Sequence, residues 1–337
     1  MKNISLDKKT ILVTGGTGSF GKKFIKTALE KYELKKIIVF SRDELKQSDM
    51  YNELVKYKQK IRFFIGDVRD LQRVKLALKE VDIVVHAAAL KQVPTAEYNP
   101  FEVIKTNILG TQNIIDGIIH SDVERAIALS TDKAAAPINL YGASKLAADK
   151  LFVSSNNYSK KKFSVVRYGN VMMSRGSVIP LFLEQSKIGM FNITDKRMTR
   201  FSITLDQGVD FVINCLMRMW GGELFIPKIP SFKIMDVAKA ISQDCKIKII
   251  GLRPGEKIHE EMITVSDSFN TLEFKDYFVV LPTSMEFITW KVKDFIKNSG
   301  DNLPKFCKEN FSYSSLNNKN FLTVDQIKKL IKQHNSM

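Results

Sequence analysis

The chain has 337 residues, 44% hydrophobic and 26% charged, with 52 Lys and Arg against 36 Asp and Glu and a formal net charge of +16. That apolar content can bury one large core, or a nucleotide-binding domain with a smaller companion, which excludes a disordered chain. The lysines are dispersed, without an RNP-like or helix-turn-helix pattern, and no window approaches the roughly 18 uninterrupted apolar residues of a membrane span, so neither nucleic acid nor membrane is expected as a partner.

The N-terminal half alternates short β-branched runs with helical patterns. Strands are predicted at 11–14, 36–41, 61–67, 82–87, 126–130 and 163–168, and helices at 20–31, 71–79, 101–119 and 141–155. This order predicts an α/β fold with a doubly wound parallel sheet of the Rossmann type. Past Gly169 the pattern loosens into loops, with helical periodicity at 207–219 and 235–241 and a strand-like run at 223–226. The expected organisation is a dinucleotide-binding domain over residues 1–170. Residues 171–283 mainly bind substrate, with segments returning to the sheet, and 284–337 form a C-terminal extension with one helical pattern at 323–333. The Lys-rich start leads into a strand and not into a signal sequence, so the expected location is the cytoplasm. Cys215, Cys245 and Cys307 have no paired spacing and read as reduced thiols. His86, His120, His259 and His334 lack metal-ligand spacing, and no metal is expected.

The first strand runs into Gly15-Gly16-Thr17-Gly18-Ser19-Phe20-Gly21, after which a helix begins. Glycines at 15, 18 and 21 allow a tight turn, close approach of backbone to a pyrophosphate, and close helix packing. The second strand ends at Ser41-Arg42-Asp43, where an acid suits the ribose of NAD and an arginine suits the 2′-phosphate of NADP. The planar donor fork of Arg42, with Lys46 nearby, favours NADP. Asp67 and Val68 close the third strand, where the carboxylate can accept from an adenine amine or merely cap a surface helix. Ala87 and Ala88 follow the fourth strand, and their small size lets backbone pass close to a cofactor.

Tyr141 and Lys145 stand four apart at the start of a predicted helix and so share one face. An ammonium beside the phenol would lower its pKa and permit proton exchange with a sugar hydroxyl. The same spacing recurs at Tyr32 with Lys36 and at Tyr158 with Lys162, so only the copy following a strand end carries weight. Between that strand and the helix lies Thr131-Asp132-Lys133, at the carboxyl end of the sheet where ligands of such folds collect. A ketoreductase needs only a hydroxyl donor with the Tyr-Lys pair. Eliminating water requires a further acid and a further base, which Asp132 and Lys133 provide.

These motifs, together with 86–91, 137–142, 167–170 and Arg253-Pro254-Gly255-Glu256-Lys257, resemble the sugar-nucleotide branch of the extended short-chain dehydrogenase/reductases. Within it the chain is most similar to the inverting UDP-N-acetylglucosamine 4,6-dehydratases that open pseudaminic acid synthesis. The resemblance implies NADP as cofactor, UDP-N-acetylglucosamine as substrate, and a homo-oligomer, a hexamer among the forms. It adds Glu44, Leu45, Lys91, Leu129, Ser130, Lys145 and Val171 to the cofactor site. Substrate contacts fall on Lys91, Asn170, Arg175, Thr194, Arg253 and Glu256. It assigns Tyr141 to the C4 hydroxyl proton, Lys133, as a neutral amine, to C5, and Asp132, protonated, to the C6 hydroxyl, with Thr131 beside them. That scheme requires Asp132 raised and Lys133 lowered in pKa, shifts that two adjacent opposite charges resist. Retaining relatives commonly place Glu where Lys133 stands, and 5-epimerising ones commonly have Met where Tyr141 stands. Two departures are Gln92, where His is usual, and Met172-Met173, where small residues including Gly are usual; bulk there would alter the pocket for the acylamino group.

Overall fold

The structure is a computed structural model that describes residues 4–174, 176–283, 289–299 and 303–335. The first wound half comprises β1 (Thr10–Thr14), α1 (Ser19–Lys31), β2 (Lys36–Ser41), α2 (Glu44–Glu53), β3 (Ile61–Ile65), α3 (Leu71–Ala77) and β4 (Ile83–His86). It continues through α4 (Val93–Tyr98), α5 (Pro100–Val103), α6 (Gly110–Ile119), β5 (Arg125–Thr131), α7 (Leu140–Ser154) and β6 (Lys162–Tyr168). The strands are apolar along nearly their whole length because helices cover both faces of the sheet, and Ile11, Val13, Ile37, Val39, Ile83 and Val85 are fully buried.

After β7 (Asn170–Val171), α8 (Val178–Ser186), β8 (Met190–Ile193), β9 (Thr199–Ile203) and α9 (Leu205–Arg218), strand β10 (Leu224–Pro227) pairs parallel with β6. Next come β11 (Ser231–Lys233), α10 (Ile234–Ile241), β12 (Lys246–Ile249), β13 (Glu261–Ile263), β14 (Thr271–Glu273), β15 (Tyr277–Val280) and β16 (Lys305–Phe306). The main sheet has ten strands in the order β16-β14-β15-β10-β6-β5-β4-β1-β2-β3. Seven of them, from β3 to β10, are parallel, and the last three add an antiparallel edge. The winding reverses between β1 and β4, which opens a crevice at their carboxyl ends.

A second core lies apart from the sheet. Ile179 and Phe182 of α8, Phe191 and Ile193 of β8, and Val237 and Ala238 of α10 meet Ile327 and Ile331 of the C-terminal helix (Val324–Asn335). The chain from 170 to 203, expected as loops, carries α8, β7, β8 and β9, whose strands of two to five residues are too short to show a period. The helix expected over 101–119 is interrupted at Ile104–Leu109 by a π-helical segment. That irregularity changes hydrogen-bond register without disturbing apolar spacing, so periodicity does not reveal it. Among the described residues no helix is long and apolar enough to cross a membrane.

Candidate active site

The crevice at the switch point has a volume of about 570 Å³. Gly15 adopts φ +64°, and a Cβ there would meet the backbone of Ala87 and Ala88 at 3.0 to 3.1 Å. A Cβ on Gly21 would lie 2.6 Å from Gly15 O and Gly16 Cα, so α1 can approach the turn only with glycine at that position. Thr14 Oγ1 accepts from the amides of Ala87 and Ala88 and pairs with His86 Nδ1 at 2.8 Å. His86 Nε2 meets Thr111 Oγ1 at 3.1 Å, and burial lowers the imidazole pKa to about 3, so it sits neutral behind the crevice.

The crevice is lined by Gly15, Thr17, Gly18, Ser19, Phe20, Gly21, Ser41, Arg42, Asp43, Lys46, Asp67, Val68, Ala87, Ala88, Lys91, Leu129, Ser130, Tyr141, Lys145 and Val171. Glu44 and Leu45 are absent from this lining, contrary to expectation. They form the first turn of α2, where side chains project outward, and Leu45 is 69% exposed. Asp43 accepts from the amide of Lys46 at 3.0 Å as the N-cap of α2 and pairs with the Lys46 ammonium. Asp67 is held by Arg69 through both Nε and NH2, with Arg42 NH1 at 3.5 Å; the cap of α3 is Asp70.

Lys133 and Asn170 line both this crevice and a second cavity of the same volume, about 570 Å³, beneath the second core. Thr194, Arg253 and Glu256 line the second cavity. Arg175 lies outside the described residues. Neither Met172 nor Met173 lines either cavity. Met172 is buried in the second core and Met173 packs against it at φ +58°, so the chain keeps a left-handed backbone of the kind glycine favours while its bulk faces away from the cavities.

The Thr131-Asp132-Lys133 triplet leaves β5 through a 3₁₀ turn (Asp132–Ala134), and Thr131 accepts from the Lys133 amide at its start. Gly142 of α7 presses on this turn: a Cβ there would sit 2.2 Å from Lys133 O, which brings Tyr141 beside the triplet. Asp132, fully buried, accepts from Thr131 Oγ1 and Lys133 Nζ, both at 3.0 Å. Lys133 Nζ lies 3.2 Å from Glu260 Oε1, and Arg200 Nε is 3.9 Å from the same oxygen. Arg200 NH2 also stands 3.7 Å from Glu256. Glu260 and Arg200, both buried, were not singled out by sequence reasoning. No local motif marks them, and only the packing of β9 and β13 against the 3₁₀ turn brings them to Lys133.

Burial raises the Asp132 carboxyl, as the elimination scheme requires. Lys133 departs from expectation. Burial alone would depress the ammonium, but the adjacent carboxylates of Asp132 and Glu260 outweigh it and raise its pKa. Tyr141 departs too, because burial pushes the phenol up to about 12 against the opposing pull of Lys133 and Thr131. Lys145 is itself depressed by burial, with Asp149 opposing, and it is Lys133 whose field reaches the phenol.

Six of the ten buried side-chain polar atoms without a partner among the described residues line the two cavities: Thr106 Oγ1, Asp132 Oδ2, Asn170 Oδ1, Ser177 Oγ, Glu256 Oε2 and Glu260 Oε2. Buried polar atoms are normally satisfied, so such a concentration of acceptors fits a ligand rich in O–H and N–H donors.

The polysaccharide biosynthesis protein family model matches residues 11–282. A UDP-N-acetylglucosamine 4,6-dehydratase (inverting) of Campylobacter jejuni is 54% identical over 317 residues, 93% of this chain and 94% of that protein. A UDP-glucose 4-epimerase of Rickettsia bellii is 44% identical over 282 residues, 80% of this chain and 82% of that protein. The solved structure of Pen from Bacillus thuringiensis superposes with a TM-score of 0.86 at 35% identity, covering 98% of this chain and all of that one. The chain belongs to the polysaccharide biosynthesis protein family, in its branch of inverting UDP-N-acetylglucosamine 4,6-dehydratases.

Proposed function

We propose that the protein is an NADP-dependent lyase that removes water across C5 and C6 of UDP-N-acetylglucosamine and inverts C5, the first step of pseudaminic acid synthesis. The observation that carries this reading is the position of Lys133, with Asp132 3.0 Å from its amine, in the wall shared by the dinucleotide crevice and the second cavity. A hexose there reaches both a nicotinamide and an acid-base pair.

The glycine cradle fits a pyrophosphate. NADP is favoured over NAD because Asp43 is already engaged as a helix cap and by Lys46, while Arg42 is 53% exposed and presents its fork to a 2′-phosphate. A nicotinamide dinucleotide held by the glycine turn, Arg42 and Lys46 would supply hydride exchange at C4 and C6, and its positive charge in the oxidised form would oppose the burial that raises Tyr141. Tyr141, as phenolate, takes the C4 hydroxyl proton as the C4 hydride departs, leaving a ketone that acidifies C5. Lys133 takes the C5 proton, and Asp132 gives its proton to the C6 hydroxyl, which leaves as water. Moving one proton from the Lys133 ammonium to Asp132 across their hydrogen bond creates base and acid together without changing the net charge of the site, and burial favours that neutral pair. A proton drawn from solvent then reaches C5 from the opposite face, Lys133 passes its proton back to Asp132, and Tyr141 releases its proton to solvent, which restores the starting site. Asn170, Thr194, Arg253 and Glu256, with Arg175, hold the nucleotide sugar, and Lys91 contributes from the crevice. The working form is a cytoplasmic homo-oligomer.

The relatives named UDP-glucose 4-epimerase favour a second reading, 4-epimerisation, in which Tyr141 and Lys145 act and Asp132 and Lys133 stand idle. Incubation with UDP-N-acetylglucosamine in deuterated water separates the two. The dehydratase yields a 6-deoxy-4-keto product labelled at C5, and an epimerase yields unlabelled UDP-N-acetylgalactosamine. No turnover of any nucleotide sugar defeats both.

A further inference from the structure

Lys133 has two carboxylate partners, and the elimination scheme employs only Asp132. The other, Glu260, retains only 3% side-chain exposure, and its Oε2 has no partner among the described residues. It lies just before β13 and is fixed through its main chain: its amide donates to Ser315 Oγ at 3.0 Å, and its carbonyl accepts from the Ser315 amide at 2.7 Å. Ser315 in turn meets Thr199 Oγ1 at 2.7 Å, next to Arg200 on β9. Two separate segments therefore hold this carboxylate against the amine.

A buried carboxylate is costly unless a cation answers it, and folding alone does not require one at this position. The groups facing Lys133 are Asp132 on its own turn, Tyr141 on α7, Arg200 on β9 and Glu260 before β13; Lys257 in the preceding loop, whose Nζ is tied to Ala135 O at 2.7 Å, acts on Glu260. Once Asp132 holds its proton as an acid, Glu260 is the remaining anion paired with Lys133 among the described residues.

We propose that Glu260 is a positioning residue that aims the Lys133 amine at the sugar and balances the positive charge Lys133 acquires once the C5 proton has arrived. This inference rests on the dehydratase reading. In the step concerned, the C5–H bond breaks, its electron pair stays on C5 in conjugation with the C4 ketone, and the proton forms an N–H bond on Lys133; Glu260 exchanges no proton. Its field makes the amine a stronger base, which speeds removal of a weakly acidic carbon proton. Arg200, shared with Glu256, keeps Glu260 anionic, and burial of Glu260 is outweighed by Lys133 and Arg200 so that its pKa is lowered.

The test compares Glu260→Gln and Glu260→Asp with wild type by two measurements. Trace acetylation of Lys133 across pH, read by mass spectrometry on enzyme without substrate, reports the amine directly and is independent of whether the dehydratase reading holds. The midpoint falls by about one pH unit or more in Glu260→Gln, the size expected on losing an opposite charge in contact, and by a smaller step in Glu260→Asp. With UDP-N-acetylglucosamine, kcat of Glu260→Gln falls about tenfold or more while KM stays within about threefold, and the rising limb of kcat moves to lower pH, since a weaker base is neutral at lower pH. Should Glu260→Gln fail to fold, the graded shift in Glu260→Asp carries the decision. An unchanged acetylation midpoint overturns the inference whatever happens to turnover, as does a rise in KM with kcat intact, which would make Glu260 a substrate contact. Absence of turnover in wild type with a shifted midpoint sinks the parent reading and leaves the pairing of Glu260 with Lys133 standing.

Discussion

The two cavities enclose equal volumes of about 570 Å³, share Lys133 and Asn170, and are built differently. Around the adenine end of the dinucleotide crevice the wall is the glycine turn and small side chains, and the acids there are already engaged: Asp43 caps a helix and Asp67 is held by Arg69, while behind the wall the neutral His86 is locked between two threonines. The second cavity has a largely apolar wall that includes Val178, Leu181, Phe182, Ile193 and Met198, and across it ionisable side chains from distant segments, Lys133, Glu260, Arg200 and Glu256, form one charged chain in which Glu256 Oε2 and Glu260 Oε2 are unsatisfied among the described residues. A cofactor that is held for many cycles needs shape and fixed donors. A substrate that loses and regains protons needs groups whose charge can change, and such groups must be left partly unpartnered.

The strongest test of this division is Lys133→Ala, for which turnover falls by about 10² to 10⁴-fold, the range of a lost general base, while NADP affinity in a fluorescence titration stays within a few-fold. An equal loss of both would place Lys133 among the cofactor contacts and blur the boundary between the cavities. Arg42→Ala is expected to act in reverse, weakening NADP by about 1.5–3 kcal/mol with little change for NAD, as loss of a charge-assisted contact to the 2′-phosphate demands. Equal weakening of both cofactors in calorimetric titration would remove the basis for NADP. Gly21→Ala inserts an atom 2.6 Å from backbone that cannot retreat, so a loss of about 1–3 kcal/mol in denaturant unfolding, accompanied by weaker cofactor binding, is predicted.

The last effect concerns pH. His86 has a folded pKa of about 3 against an ordinary value near 6.5, so the unfolded chain binds the proton first. Its contribution is complete above pH 6.5 and declines as pH falls toward 3, by about 1.4 kcal/mol per unit at most. Urea unfolding between pH 7 and 5 should therefore show a shallower slope in His86→Asn than in wild type. Parallel slopes would mean that the imidazole is not the neutral, locked group described above.

The same division governs what can be read from the chain. The strands from β1 to β6 and the glycine turn follow from apolar periodicity and from glycines whose spacing is a local property. The triplet 131–133 and Tyr141 are near in sequence, so their meeting needs only one turn and the start of one helix. The short strands past residue 169 have too few residues to show a period, and the π-helical break in 104–109 leaves apolar spacing intact.

Protonation was the least legible property. The Tyr-Lys spacing implied a lowered phenol and the elimination scheme implied a lowered Lys133, whereas burial raises Tyr141 to about 12 and two carboxylates raise Lys133. From the amino-acid order alone come the alternation of strands and helices that builds the wound sheet, the glycine turn and the cluster of acid, amine and phenol, since each shows in the spacing of residues near one another in the chain. The tertiary structure alone decides that Glu260 and Arg200 complete that cluster and that the pair Met172-Met173 turns away from both cavities. Charge states and cavity walls depend on which groups meet across long loops and how far water is excluded from them, and neither quantity is written in local spacing.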